Sequence, residues 1–199
     1  MQFPDLAFEV NIIAFGWRSR FSAAVKLPFM AALAAEVQFM AAPKRGNTGY
    51  SCYFITASTF EKRRLLQSVR MARLLIAVLL HYRQQSKFLL HEFVVMPDHF
   101  HLLLTPVETL ERAMQLIKGG FSFRVKKELG FCGEVWQKSY YDRRVRDFDE
   151  YAAFREYMRE NPVRKGLASE ASAYFYSSAH PEFNLDGIPP RLKPFGSCA

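Results

Sequence analysis

From residue 49 onward the hydrophobic and polar positions alternate between a period of two and a period near 3.6. Residues 49–57, GYSCYFITA, are rich in aromatic and β-branched side chains and predict a strand. Ser58 and Thr59 stand as caps before residues 58–85, where Leu65, Leu66, Val69, Leu74 and Leu75 support a long helix. Residues 87–96, KFLLHEFVVM, predict a second strand, Pro97-Asp98 a tight turn, and residues 99–105, HFHLLLT, a third strand. Thr109 caps a second helix over residues 110–129, stopped by Gly130. Gly119-Gly120 interrupts it, at a cost of roughly 1 kcal/mol per glycine against alanine. Residues 134–145, EVWQKSYYDRRV, predict a fourth strand. Asp147 with Glu150 opens a third helix in the manner of a capping box, and Pro162 ends it. The order β-α-β-β-α-β plus a helix is α+β. It is the order of a ferredoxin-like antiparallel sheet with two helices on one face, followed by a C-terminal helix.

The ends read differently. Residues 1–39 show no strand alternation, and their apolar LPFMAALAA lies behind Asp5 and Glu9, the wrong flank for a signal peptide. Met40 opens a polar, glycine-bearing stretch that feeds the first strand. The expectation is that Met40 is the natural start, residues 1–39 an upstream extension, 40–180 one domain, and 181–199, rich in Pro and Gly, a flexible tail. An intact Met1 species in the mass of the natively expressed protein would overturn that start.

Composition narrows the class. With 199 residues, 50% hydrophobic and 23% charged, the chain suits a single globular domain. Its net charge of +8 favours a polyanionic partner, most simply nucleic acid. Cys52, Cys132 and Cys198 are scattered without a CxxC pair, which argues against a zinc ribbon or disulfide framework and fits a reducing cytoplasm. No run approaches the ~18 apolar residues of a membrane span, so none is expected.

The third strand raises the chemical question. Side chains alternate along a strand, so His99 and His101 share a face, their Cα atoms about 6.6 Å apart. Two imidazoles at that spacing can converge on one metal ion. An isolated His-x-His also fits a half-exposed strand, and two ligands are too few for a stable site. In the third helix Tyr151, Phe154 and Met158 form the apolar stripe, while Tyr157 and Asn161, at i and i+4, flank it. Tyr157 equally fits a rim aromatic, and Asn161 a C-cap before Pro162. Tyr140 and Tyr141 should face opposite ways, and Trp136 reads as a packing residue before a base-stacking one. Lys118, Arg124, Lys126, Lys127, Arg143, Arg144 and Arg146 are candidates for phosphate contacts, although Asp142, Asp147 and Asp149 interleave and make part of the stretch ordinary solvated surface.

Five motifs in order, MPDHFHLLLTP, LIKGGFSFRV, VWQKSYYDRRVRD, YMRENPVRKGL and YSSA, closely resemble the REP-associated tyrosine transposases. These belong to the single-tyrosine HUH transposases, in which U is a hydrophobic residue. The resemblance covers roughly residues 50–179, leaves 1–39 without a counterpart, and implies the ferredoxin-like fold. It implies that His99 and His101 are metal ligands, that Tyr157 is the nucleophile, and that Asn161 occupies the third ligand position, where some relatives carry glutamine. It further implies Mg2+ or Mn2+ as cofactor, although two imidazoles alone favour softer ions such as zinc. The partner implied is single-stranded or hairpin DNA, cleaved and rejoined through a 5′-phosphotyrosine, in the cytoplasm at the nucleoid. Exchange by a homodimer is common among such enzymes. Two other functions remain open at this stage: a catalytically silent binder of DNA repeats, and a metal-dependent single-strand nuclease.

Overall fold

The computed structural model describes residues 51–193. The expected Met40 start, the extension 1–39 and residues 194–199 lie outside them. Four strands, β1 (Tyr53–Ser58), β2 (Phe88–Val95), β3 (His99–Pro106) and β4 (Tyr141–Arg144), form one sheet in the order β2-β3-β1-β4, every pair antiparallel. Three helices accompany it, α1 (Val69–Gln84), α2 (Leu110–Leu129) and α3 (Phe148–Arg164). The fold is α+β, with the ferredoxin-like order read from the sequence.

Period-two alternation divides the sheet into two apolar faces. Tyr53, Ile55 and Ala57 of β1, with Phe100, Leu102 and Leu104 of β3, pack against Leu75 and Leu79 of α1 and Ile117 and Phe121 of α2. Phe54 of β1, Val94 of β2 and Leu103 of β3 face the other way and meet Tyr151, Phe154 and Met158 of α3. The expected stripe of the third helix is therefore its buried face. Tyr140 packs with the first core and Tyr141 with the second, opposite ways as alternation requires. A β-bulge between Leu90 and Glu92 inserts His91 into β2. Leu90 keeps to the first core, while His91 bonds Thr105 and Glu92 bonds Arg155 of α3, so two consecutive polar residues reach the α3 side.

Several local expectations are corrected. The first helix begins at Val69, not at Ser58: Glu61 and Lys62 have φ of 53° and 51°, and two 3-10 turns precede the helix. Thr59 does not cap it; its backbone bridges Trp136 and its hydroxyl donates to the Asp98 carbonyl oxygen, and this tertiary tie wins over helical periodicity. Of the expected stripe, Leu66, Leu74 and Leu75 are buried, while Val69 is exposed. The fourth strand is only Tyr141–Arg144, because the Trp136 ring turns into the first core and Lys118 donates to the Gln137 carbonyl oxygen. Gly119-Gly120 does not break α2, and Pro162 does not end α3, which runs one residue pair further to Arg164. Other caps form as expected: Thr109 accepts from the Arg112 N–H, and Gly130, with φ of 66°, closes α2 in the left-handed region.

Residues 174–187 lie along the free edge of β2: Val95 N–H donates to Tyr176 O, Ser178 N–H to Phe93 O and, within the tail expected at 181–199, Asp186 N–H to Leu90 O. Leu192 is buried in the second core.

Candidate active site

β3 is an interior strand, so the register fixes what surrounds its histidines. His101 lies opposite Thr56 on one side and Val94 on the other, and is fully buried. His99, at the start of the strand, is only partly covered. The two rings stand 4.8 Å apart at 76°. His101 Nδ1 is 2.7 Å from Thr56 Oγ1, and its ring stacks on Phe54. Its Nε2 is buried without a hydrogen-bond partner. Burial first, and the neighbouring His99 second, hold its pKa well below the ordinary imidazole value, so the ring is neutral. In the tautomer that donates Nδ1–H to Thr56, a lone pair is left on Nε2. His99 mirrors this pattern, with Nδ1 2.6 Å from Asp98 Oδ1. That hydrogen bond holds the Asp98 carboxyl below its usual value despite burial. An imidazole anchored at one nitrogen by a carboxylate or hydroxyl, its other nitrogen free, is the usual state of a metal-ligating histidine.

α3 brings the remaining residues. Tyr157 and Asn161 are 9% and 7% exposed, one turn apart on α3. The Tyr157 ring stands 5.3 Å from His101 and 6.1 Å from Phe54, edge-on to both. Burial pushes the phenol above its ordinary pKa, and the charge of Arg164 pulls it back. Arg164 lies with its guanidinium carbon 5.7 Å from the Tyr157 ring centre. Asn161 Nδ2 is buried with no partner, and a half-turn of the amide would present its oxygen at the same point. The structure thus sets His99 beside His101 and His101 beside Tyr157, with Asn161 one turn further along α3. Among the described residues no three His, Cys, Asp or Glu side chains gather as a metal cluster. Two orphaned buried atoms, His101 Nε2 and Asn161 Nδ2, make the donor set fit a cation.

The basic candidates do not form one patch. Arg124, Lys126 and Lys127 sit on α2, across the sheet from the histidines, where Arg124 pairs with Glu128. Lys118 is committed to backbone carbonyl oxygens, and burial lowers its pKa. Arg143 and Arg146 both engage the buried carboxylate of Glu150. Arg144 is exposed, opposite Tyr53 in the register and so turned from the α3 face. Thr56, Asp98 and Arg164 escaped the sequence reading. Arg164 had a signal, since it lies seven residues after Tyr157 on the same helical stripe.

This fold and site define a class: the chain belongs to the IS200-like transposase family, whose model matches residues 49–161. It is 25% identical over 134 residues to the REP-associated tyrosine transposase of Escherichia coli (strain K12), covering 64% of this chain and 76% of that protein. An uncharacterised protein of Haemophilus influenzae (strain ATCC 51907 / DSM 11121 / KW20 / Rd) is 28% identical over 95 residues, 36% of this chain and 53% of its own. The structure also resembles that of a REP-associated tyrosine transposase bound to a REP hairpin, with a TM-score of 0.58 at 21% identity, over 69% of this chain and 82% of the other. Trp136, whose Nε1–H donates to Lys118 O, has the packing role expected of it. No helix among the described residues is long and apolar enough to cross a membrane.

Proposed function

We propose that this transposase-family chain is a strand transferase that cleaves and rejoins single-stranded or hairpin DNA with Tyr157 as nucleophile. The observation that supports the reading is the Tyr157 ring 5.3 Å from the buried His101 ring, with His99 4.8 Å from His101 and Asn161 one helical turn beyond Tyr157. In the forward step Tyr157 Oη bonds to the scissile phosphorus and the bond from phosphorus to the 3′ oxygen breaks. The phenol proton is balanced by the proton that the leaving 3′-OH takes up. A phosphodiester bond is exchanged for another, so rejoining needs no nucleotide cofactor.

The residues divide the work. An unperturbed phenol is only about one part in a thousand ionised at pH 7, equivalent to about 4 kcal/mol, and burial adds to that cost. Arg164 opposes it from the ring face. His99, His101 and Asn161 would hold a divalent cation, Mg2+ or Mn2+, which supplies positive charge to the phosphate when bound. Thr56 and Asp98 orient the two imidazoles. The similarity to a hairpin-bound relative and the net charge of +8 support structured DNA as substrate.

The test is incubation of labelled single-stranded hairpin DNA with protein and Mg2+ or Mn2+, followed by denaturing electrophoresis. A covalent protein–DNA adduct, absent in Tyr157→Phe, is expected. Free 5′-phosphate ends without an adduct would instead indicate a nuclease, and a gel shift without cleavage a silent binder.

A further inference from the structure

A second polar cleft, of about 330 Å³, lies between α3, β2 and the segment covering the β2 edge. Its lining includes His91, Glu92, Arg155, Arg159, Ser178 and Asp186. Arg155 and Arg159 stand two residues to either side of Tyr157, and a step of two residues turns about 200° round a helix. They therefore project from the flank of α3 away from the Tyr157 site.

The acceptors in this cleft that could serve the guanidiniums are already engaged. Glu92 Oε1 takes Arg155 Nε–H, and Glu92 Oε2 takes the Ser178 hydroxyl. His91 is bonded at Nδ1 to Gly187 O and at Nε2 to the Thr105 hydroxyl. Asp186 Oδ2 accepts from Arg83 Nε–H and Leu90 N–H. What remains is donor capacity. Arg159 Nε is buried without a partner, and its Nη2 forms only a long ion pair with Glu92, at 3.9 Å and beyond hydrogen-bond reach. A buried donor left open is destabilising, and an incoming acceptor would relieve it. Guanidinium groups offering paired N–H donors match phosphate oxygens in shape and charge.

We infer that Arg155 and Arg159 form a phosphate-binding site, distinct from the Tyr157 centre and on the opposite flank of the same helix. The occupant is a phosphate of the DNA substrate; this choice of source rests on the strand-transferase reading, whereas the site itself does not. Free inorganic phosphate shares the chemistry, and the test separates the two.

The experiment uses the full chain and two variants, Arg159→Gln and Arg159→Lys, in EDTA. Arg159→Gln leaves Glu92 bonded to Arg155 and Ser178, so its unliganded melting temperature checks that it folds. In one arm, binding of a fluorescein-labelled DNA hairpin with mixed-sequence single-stranded flanks is measured across salt concentrations. Arg159→Gln should bind about tenfold more weakly. Its slope of log affinity against log salt should fall by about 0.7–0.9, the loss of one phosphate contact, and Lys should restore part of the slope. In the other arm, inorganic phosphate should raise the melting temperature of the parent chain and not of Arg159→Gln. Loss of the phosphate response with an unchanged DNA slope would keep the site and assign it to free phosphate. If Arg159→Gln alters neither the DNA slope nor the phosphate response, the site is overturned. Adduct formation at Tyr157 is a separate readout; its failure would sink the strand-transferase reading and leave the phosphate arm to decide this one.

Discussion

Thr56 is the residue through which β1 reaches the histidines. Its hydroxyl hydrogen-bonds His101 Nδ1 in a fully buried setting, which fixes the ring plane. Thr56→Val keeps the shape and the strand propensity but leaves His101 Nδ1 without its partner, at about 1–3 kcal/mol. The expected outcome is a lower melting temperature and about 10–100-fold weaker Mn2+ binding, read by spin-resonance titration, with Thr56→Ser restoring both. The cysteines make a separate test. Cys52 is fully buried, and burial pushes its thiol up to about 12, whereas Cys132 is exposed. Peptide mapping after brief iodoacetamide treatment of the native protein should find Cys132 alkylated and Cys52 intact until the chain is unfolded. At this scale the sequence discloses what is local. His99 with His101 follows from a period of two, and Tyr157 with Asn161 from a spacing of four. Thr56 does not follow, because its meeting with His101 spans 45 residues and depends on a strand register that no local pattern states.

The same division between local and distant causes governs the elements. α2 and the start of α3 were legible because their caps are local: Thr109 accepts from Arg112 N–H, and Asp147 from Glu150 N–H. The Glu150 carboxylate does not complete the box at Asp147; it accepts from Arg146 N–H and takes Arg143 as an ion pair, tying β4 to α3. The start of α1 and the upper half of the fourth strand were not legible, because the bridge from Thr59 to Trp136 decides both. The paired glycines of α2 need the structure to be told apart. A Cβ on Gly120 would come within 2.8 Å of the Tyr82 ring, so this glycine lets α1 and α2 approach. A Cβ on Gly119 meets nothing within 4 Å. Gly119→Ala should therefore stabilise the protein by about 0.5–1 kcal/mol through helix propensity alone. Gly120→Ala should gain less or lose stability, since Tyr82 must move. Parallel thermal melts of the two variants check this, and equal gains would show that the Tyr82 contact is not limiting.

On the scale of the whole molecule, the sheet carries an edge strand beside its central pair, and the C-terminal segment covers that edge. β2 offers unpaired backbone groups on its outer side, the kind of edge that recruits other chains unless it is hidden. Residues 174–187 hide it with backbone bonds at Leu90, Phe93 and Val95. The clamp at the far end is Asp186, whose carboxylate takes Arg83 from α1 and Leu90 N–H from β2. One side chain thereby joins the helical layer, the sheet edge and the C-terminal segment. Burial would raise the Asp186 pKa, but the Arg83 and Leu90 hydrogen bonds outweigh it and hold the carboxyl below its ordinary value. The unfolded chain, with an aspartate near the usual ~3.9, then binds the proton more readily than the native protein does. The stabilisation is complete above about pH 5 and drains away as pH falls through about 4 and below. The groups are about a quarter exposed, so the effect is on the order of 1–2 kcal/mol. Asp186→Asn should melt lower than the parent at pH 7, and the gap should close as melts are repeated toward pH 3. A gap that stays constant over that range would mean that the Asp186 charge does not hold the edge. A gap that closes, together with a rise in light scattering at low pH, would tie release of this carboxylate to exposure of β2.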